Sequence, residues 1–185
     1  GTWTPASAII EVNQGEHYGN SGEKDKIASP LCYVPRGVDN STGGMVEITS
    51  DKWGPFKGSH IGLSYGANAH YLILRDGTSK RPQGAVVPLE GEFLAGVMRG
   101  AFHPKDGQLY TVGLDGWGDY STQDGCFHRV RYLGGKVRKP IGFKAHENGL
   151  RIDFAVELDA KTGKDIGNFF AQQWNYEYGK RYGSP

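Results

Sequence analysis

The chain has 185 residues, 29 of them glycine, with 12% aromatic residues and a formal net charge of +1. Lysine and arginine are scattered, so nothing in the charge balance points to a nucleic-acid footprint. No apolar run reaches the length of a membrane span, and short apolar runs punctuated by glycine-rich turns predict an all-β architecture.

A first strand is predicted over residues 8–12, closed by the turn Asn13-Gln14-Gly15. Residues 21–30 are polar and lysine-rich and read as a surface loop. A short strand at 31–34 is stopped by Pro35. The dense loop Arg36-Gly37-Val38-Asp39-Asn40-Ser41-Thr42-Gly43-Gly44 follows. Asp39 and Asn40 offer hard oxygens beside glycines that let carbonyls turn inward, a combination that suits calcium. The same residues equally make a turn in which Asp and Asn bond their own backbone. Arg36 joins them as a candidate ligand-binding side chain. Residues 45–49 are a strand, and 51–58 a loop carrying Trp53 and Pro55.

Two similar units come next. Strands at 61–65 and 70–74 flank the turn Gly66-Ala67-Asn68-Ala69, and a third strand lies at 85–89. Strands at 97–102 and 108–114 flank His103-Pro104-Lys105-Asp106-Gly107, where proline and glycine preset the turn. A third strand begins at Cys126. The two units are offset by about 38–40 residues, the length of a propeller blade. Between the last two strands runs a loop with Asp115, Trp117, Asp119, Tyr120 and Asp124. Carboxylates beside aromatic faces suit sugar recognition, because oxygens bond hydroxyls while a ring covers the apolar face. The plainer reading is a packed inter-strand loop held by Trp117.

At Gly134-Gly135 the character changes, and 136–140 reads as a linker whose lysines and arginine are solvated. Strands at 141–145 and 150–154 flank an Asn148-Gly149 hairpin signal. Residues 158–165 carry a turn of helix, and 169–178 an aromatic-rich strand. The division is therefore 1–137, a partial β-propeller, and 138–185, the beginning of an immunoglobulin-like sandwich. The chain lacks an initiator methionine and reads as a piece of a larger protein, to be completed by further segments of its parent or by another chain.

Gly62-Leu63-Ser64-Tyr65-Gly66 matches a hydrolase nucleophile elbow, but a strand is predicted after it where that motif needs a helix. The six histidines show no metal-ligand spacing. His60, which precedes a strand, is the one candidate for a catalytic residue. Cys32 and Cys126 both lie in predicted strands and read as small apolar residues, with a disulfide as the alternative.

Several stretches occur together in a familiar order: Pro35-Arg36-Gly37-Val38-Asp39-Asn40, Asp51-Lys52-Trp53-Gly54-Pro55-Phe56, Pro82-Gln83-Gly84-Ala85-Val86-Val87-Pro88-Leu89, Asp106-Gly107-Gln108-Leu109-Tyr110 and Asp124-Gly125-Cys126-Phe127-His128-Arg129-Val130-Arg131-Tyr132. Together with Ala145-His146-Glu147-Asn148-Gly149-Leu150, they resemble the late propeller blades of large secreted proteins of planctomycete- and verrucomicrobium-type bacteria. Those propellers are similar to soluble glucose or sorbosone dehydrogenases, and an immunoglobulin-like segment and a c-type cytochrome domain often follow. The resemblance implies a periplasmic or extracellular location. It also implies oxidation of a sugar with pyrroloquinoline quinone and calcium, with electrons passing to haem c. No Cys-x-x-Cys-His is present in this chain, so the haem would belong to another part of the parent. The alternative function is a non-catalytic carbohydrate-binding or assembly scaffold.

Overall fold

The computed structural model describes residues 6–18, 27–77, 81–116 and 118–170. Among them are eleven strands in four antiparallel sheets. Strands β1 (Ala6–Ile9) and β2 (Cys32–Pro35) pair as one small sheet. Strands β3 (Thr42–Glu47), β4 (His60–Ser64), β5 (Ala69–Arg75) and β6 (Gly84–Pro88) form a four-stranded meander. A three-stranded meander follows: β7 (Gly96–Phe102), β8 (Leu109–Leu114) and β9 (Gly125–Val130). The hairpin β10 (Pro140–His146) and β11 (Gly149–Phe154) is the fourth sheet, and a short helix α1 (Ala160–Lys164) comes after it. The predicted strand at 169–178 is not found at Phe169 and Phe170; its remaining residues lie outside those described. Among the described residues no helix is long and apolar enough to cross a membrane.

Local chemistry accounts for the hairpins. In the β7–β8 turn Gly107 takes φ 68°, its N–H donates to the His103 carbonyl at 2.8 Å, and Asp106 accepts from the Gln108 N–H at 2.9 Å. Between β4 and β5 the left-handed position falls on Asn68, φ 49°, a residue type that tolerates it. The Asn148-Gly149 signal does mark a hairpin. Its central pair, however, is Glu147-Asn148, neither at positive φ, because His146 pairs with Gly149.

The core follows the two-residue period of the strands. Ile61 and Leu63 of β4, Leu72 and Leu74 of β5, and Val87 of β6 meet Val97 of β7 and Leu109 of β8, together with Trp53, Phe56 and Phe93. The opposite face of β5, with Tyr71 and Ile73, packs on Val34 and Ile9 of the first sheet. The four-stranded sheet is thus covered on both faces, so β5 reads as the continuous run His-Tyr-Leu-Ile-Leu rather than as an alternating strand. Val137, Ile141 and Phe143, which flank the expected boundary at 137, also pack on the first core. The outward face of β7–β9 has no such cover among the described residues: Val112, Leu114 and Phe127 are 45%, 50% and 70% exposed.

Strands β3 and β7 meet through their main chains. Each carries a register shift, at Gly43 between Thr42 and Gly44 and at Met98 between Val97 and Arg99. A Cβ at Gly43 would collide with the Val97 carbonyl oxygen, and one at Gly44 would lie 2.6 Å from the Met98 carbonyl oxygen. The Arg99 guanidinium donates to the Gly43 carbonyl at 2.7 Å and ties the two bulges together.

His70 is 3% exposed and lies edge-on to Phe93, with ring centroids 5.2 Å apart. Burial depresses its pKa from 6.5 to about 4. The unfolded chain takes up this proton near 6.5 and the folded chain does so only near 4. The resulting stability is complete above 6.5 and is lost as pH falls from there to about 4. In urea denaturation across that range, His70→Phe should lose less stability than the parent chain; equal losses would mean that His70 is not the acid-sensitive group.

Candidate functional site

Three connections gather at one end of the two larger sheets: residues 36–41 before β3, the turn 65–68 between β4 and β5, and residues 115–124 between β8 and β9. Tyr65 links them. Its N–H and that of Gly66 donate to the Ser41 carbonyl at 2.9 and 3.1 Å, and Asn40 lies against Gly66. The Tyr65 hydroxyl occupies the space where Gly116 would carry a side chain, and its carbonyl lies 2.5 Å from the Cβ position of Gly96. The two loops named from the sequence are therefore neighbours, joined by a residue whose sequence context predicts only the end of a strand.

The loop 115–124 is tied down from within. The Asp115 N–H donates to the Asp124 carbonyl at 3.0 Å, and the Thr122 and Gln123 N–H groups donate to the Leu94 carbonyl at 2.9 and 3.1 Å. Asp119 Oδ1 accepts from the Ser121 N–H at 3.0 Å, and the Ser121 hydroxyl accepts from the Gly96 N–H at 3.0 Å. Asp119 Oδ2 is covered but has no hydrogen-bond partner among the described residues. Burial works against ionisation of Asp119, yet hydrogen bonds from Ser121 hold its carboxyl below the ordinary range. The Tyr65 phenol is pushed up by burial and by the Asp119 and Asp115 carboxylates beside it. Tyr120 is 73% exposed, and Asp115 and Asp124 are exposed. Trp117 lies outside the described residues. The described groups offer carboxylate oxygens and one open aromatic face, with no nucleophile–base pair among them.

Asp39 has a different environment. It is fully buried, and its Oδ1 accepts from the Ser41 N–H at 2.9 Å and from the Ser64 hydroxyl at 2.5 Å. Its Oδ2 accepts from the Tyr71 hydroxyl at 3.1 Å. A cation on these oxygens would have to displace three donors already aimed at them, so the residues present do not fit the calcium expectation at Asp39. Among the described residues no group of three or more His, Cys, Asp and Glu is placed to hold a metal. Asn40 Oδ1 is buried without a hydrogen-bond partner among the described residues, and Arg36 is exposed.

Ser64, the serine of the hydrolase-like stretch, donates to Asp39 and accepts from the Ala67 N–H at 2.9 Å; a strand follows it, not a helix. His60 is exposed at the other end of the sheet, paired with Glu47 and Ile73, and is not brought to the gathered loops. Cys32 and Cys126 are free thiols in β2 and β9; burial pushes the Cys32 thiol up to about 11. The chain matches no protein-family model, and no curated protein or solved structure is significantly similar to it.

Proposed function

We propose that this chain supplies stacked blades of a propeller-type extracytoplasmic protein, followed by an immunoglobulin-like segment, and that its loop end binds a polyhydroxylated ligand of the carbohydrate class without providing catalytic groups. The observation that carries the binding role is the convergence of 36–41, 65–68 and 115–124 on Tyr65. Loops fixed by rigid sheets are where binding groups concentrate. The blade reading is supported by the face-to-face stacking of consecutive meanders and by the meeting of their first strands, β3 and β7. The apolar side chains Val112, Leu114 and Phe127 that the outward face of β7–β9 leaves exposed among the described residues support completion by a further sheet, from the parent protein or from another chain. The sugar-dehydrogenase-like activity, with quinone, calcium and haem c, belongs in this proposal to the whole parent protein.

Calorimetric titration with mono- and oligosaccharides tests the binding role. Asp124 is an exposed carboxylate of this loop, whereas Asp119 is held by Ser121. Loss of the Asp124 carboxylate removes charged hydrogen bonds worth about 1.5–3 kcal/mol each, so Asp124→Ala should weaken saccharide binding roughly ten- to a hundredfold. Tyr120→Ala should weaken it less. If both variants lose thermal stability and neither loses affinity, the loop is structural and the assignment fails. Adding pyrroloquinoline quinone, calcium and an aldose with a dye acceptor to the whole parent protein separates the two functional readings. Dye reduction supports the oxidoreductase, and saccharide binding without turnover supports the scaffold.

A further inference from the structure

Opposite the β3–β7 contact, where the outer strands β6 and β9 end, the two sheets leave a cavity of about 840 Å³. That volume falls in the range of pockets for small organic molecules, about 300–1,000 Å³. Its apolar wall is a cluster of rings. Tyr132 stacks on Trp53 with centroids 6.1 Å apart and meets the edge of Phe56 at 5.9 Å. Trp53 and Phe56 come from the 3-10 turn Asp51–Phe56, and Tyr132 from the strand exit after β9.

The polar lining is one-sided. Arg131, Lys136, Arg138 and Lys139 border the cavity, and Glu90 is the one carboxylate among the lining residues. Lys139 is already paired with Glu90 at 3.4 Å. No ion pair among the described residues engages Arg131, Lys136 or Arg138. Glu157 and Asp159 lie across Lys136 and Arg138 in a neighbouring depression without pairing to them. A segment that reads from sequence as a solvated linker thus borders an aromatic recess, and two of its cations, together with Arg131 before it, form no ion pair among the described residues. Two residues lining this cavity, Trp53 and His70, are each 3% exposed and carry nitrogens, Nε1 and Nδ1, that no described group satisfies.

We propose that this cavity binds a small organic anion with a flat apolar body, its charge met by Arg131, Lys136 and Arg138 and its ring placed against Tyr132. Cations at the rim supply selectivity for an anion, and aromatic surface supplies burial for a ring; neither feature alone would define this class. The site is distinct from the loop end around Tyr65 and does not depend on carbohydrate binding there.

The test uses the 185-residue chain with 2-naphthoate as probe and the neutral 2-naphthalenemethanol as its comparison. Affinities come from calorimetry, and the position of binding from nitrogen–proton correlation spectra. Naphthoate should bind at least about tenfold more tightly than the alcohol, the loss expected when a charged hydrogen-bond partner is removed. Lys136→Glu combined with Arg138→Glu, both on exposed side chains, should abolish that preference, while Asp124→Ala should leave it intact. The Trp53 indole and Tyr132 amide signals should be the ones that move. Equal affinity for the two probes, an unchanged preference in the double variant, or shifts confined to residues away from the cavity would each overturn the proposal.

Discussion

Gly43→Ala is expected to destabilise the fold by about 3 kcal/mol, the upper part of the usual range for overpacking. The new methyl group would strike the Val97 carbonyl oxygen, and Met98 Cα lies 3.1 Å from the same position. Both are main-chain atoms of β7, so no side chain can rotate away and the sheets themselves must separate. For a chain of this size a loss of 1 kcal/mol lowers the melting temperature by roughly 2–4 °C, so the fall should be about 6–12 °C. Gly149→Ala is the control. Nothing lies within 4 Å of its Cβ position and its φ is not positive, so its effect should stay within about 0.5 kcal/mol. Equal melting temperatures for the two variants would show that β3 and β7 are not in main-chain contact.

Asp39→Ala should cost roughly 3–5 kcal/mol, because it strands three donors, the Ser41 N–H and the Ser64 and Tyr71 hydroxyls. Asp39→Asn keeps the shape and one acceptor oxygen and should cost far less. The pair also predicts a pH dependence of definite sign. Burial is the largest influence on the Asp39 carboxyl and raises its pKa above 3.8, against the hydrogen bonds that favour the anion. The folded chain therefore holds this proton more tightly than the unfolded one. The stability this contributes is fully present below 3.8 and is lost as pH rises from there through the folded pKa. In urea denaturation, the stability of the parent chain relative to Asp39→Asn should improve as pH is lowered from 7 towards 4. A difference that stays flat, or moves the other way, would place the net charge of Asp39 in a favourable site and contradict the burial argument. His70 acts in the opposite sense over part of the same range, so only the difference between the two chains isolates Asp39.

What could be read from the sequence was local. Pro104 and Gly107 announce the β7–β8 hairpin within a few positions, and the apolar run at 71–74 declares a strand, though not that both of its faces are covered. The strand at 45–49 was visible as a strand, but its place beside β4 in a four-stranded sheet was not, since the intervening 3-10 turn hides the connection. Asp39 shows the limit most clearly. An aspartate in a glycine-rich loop looks like a cation ligand, whereas its hydroxyl partners Ser64 and Tyr71 stand 25 and 32 positions away. The same distance effect hid Tyr65, whose meeting with Gly116 exists only once the two meanders are stacked. The basic stretch at 136–139 reads as solvated because charge in sequence says nothing of the aromatic recess that Trp53, Phe56 and Tyr132 build beneath it.

The contact between β3 and β7 behaves as a weld rather than a hinge. Where sheets meet through side chains, a larger or smaller residue can reset the angle between them. Here carbonyl oxygens face the Gly43 and Gly44 positions, and no substitution short of breaking the contact offers an adjustment. Variation is thereby exported to connections away from this line, such as the β10–β11 turn, where nothing lies within 4 Å of the Gly149 Cβ position. An insertion library should map this as tolerance in the β10–β11 turn at 147–148 and sharp intolerance at 43–44 and 97–98.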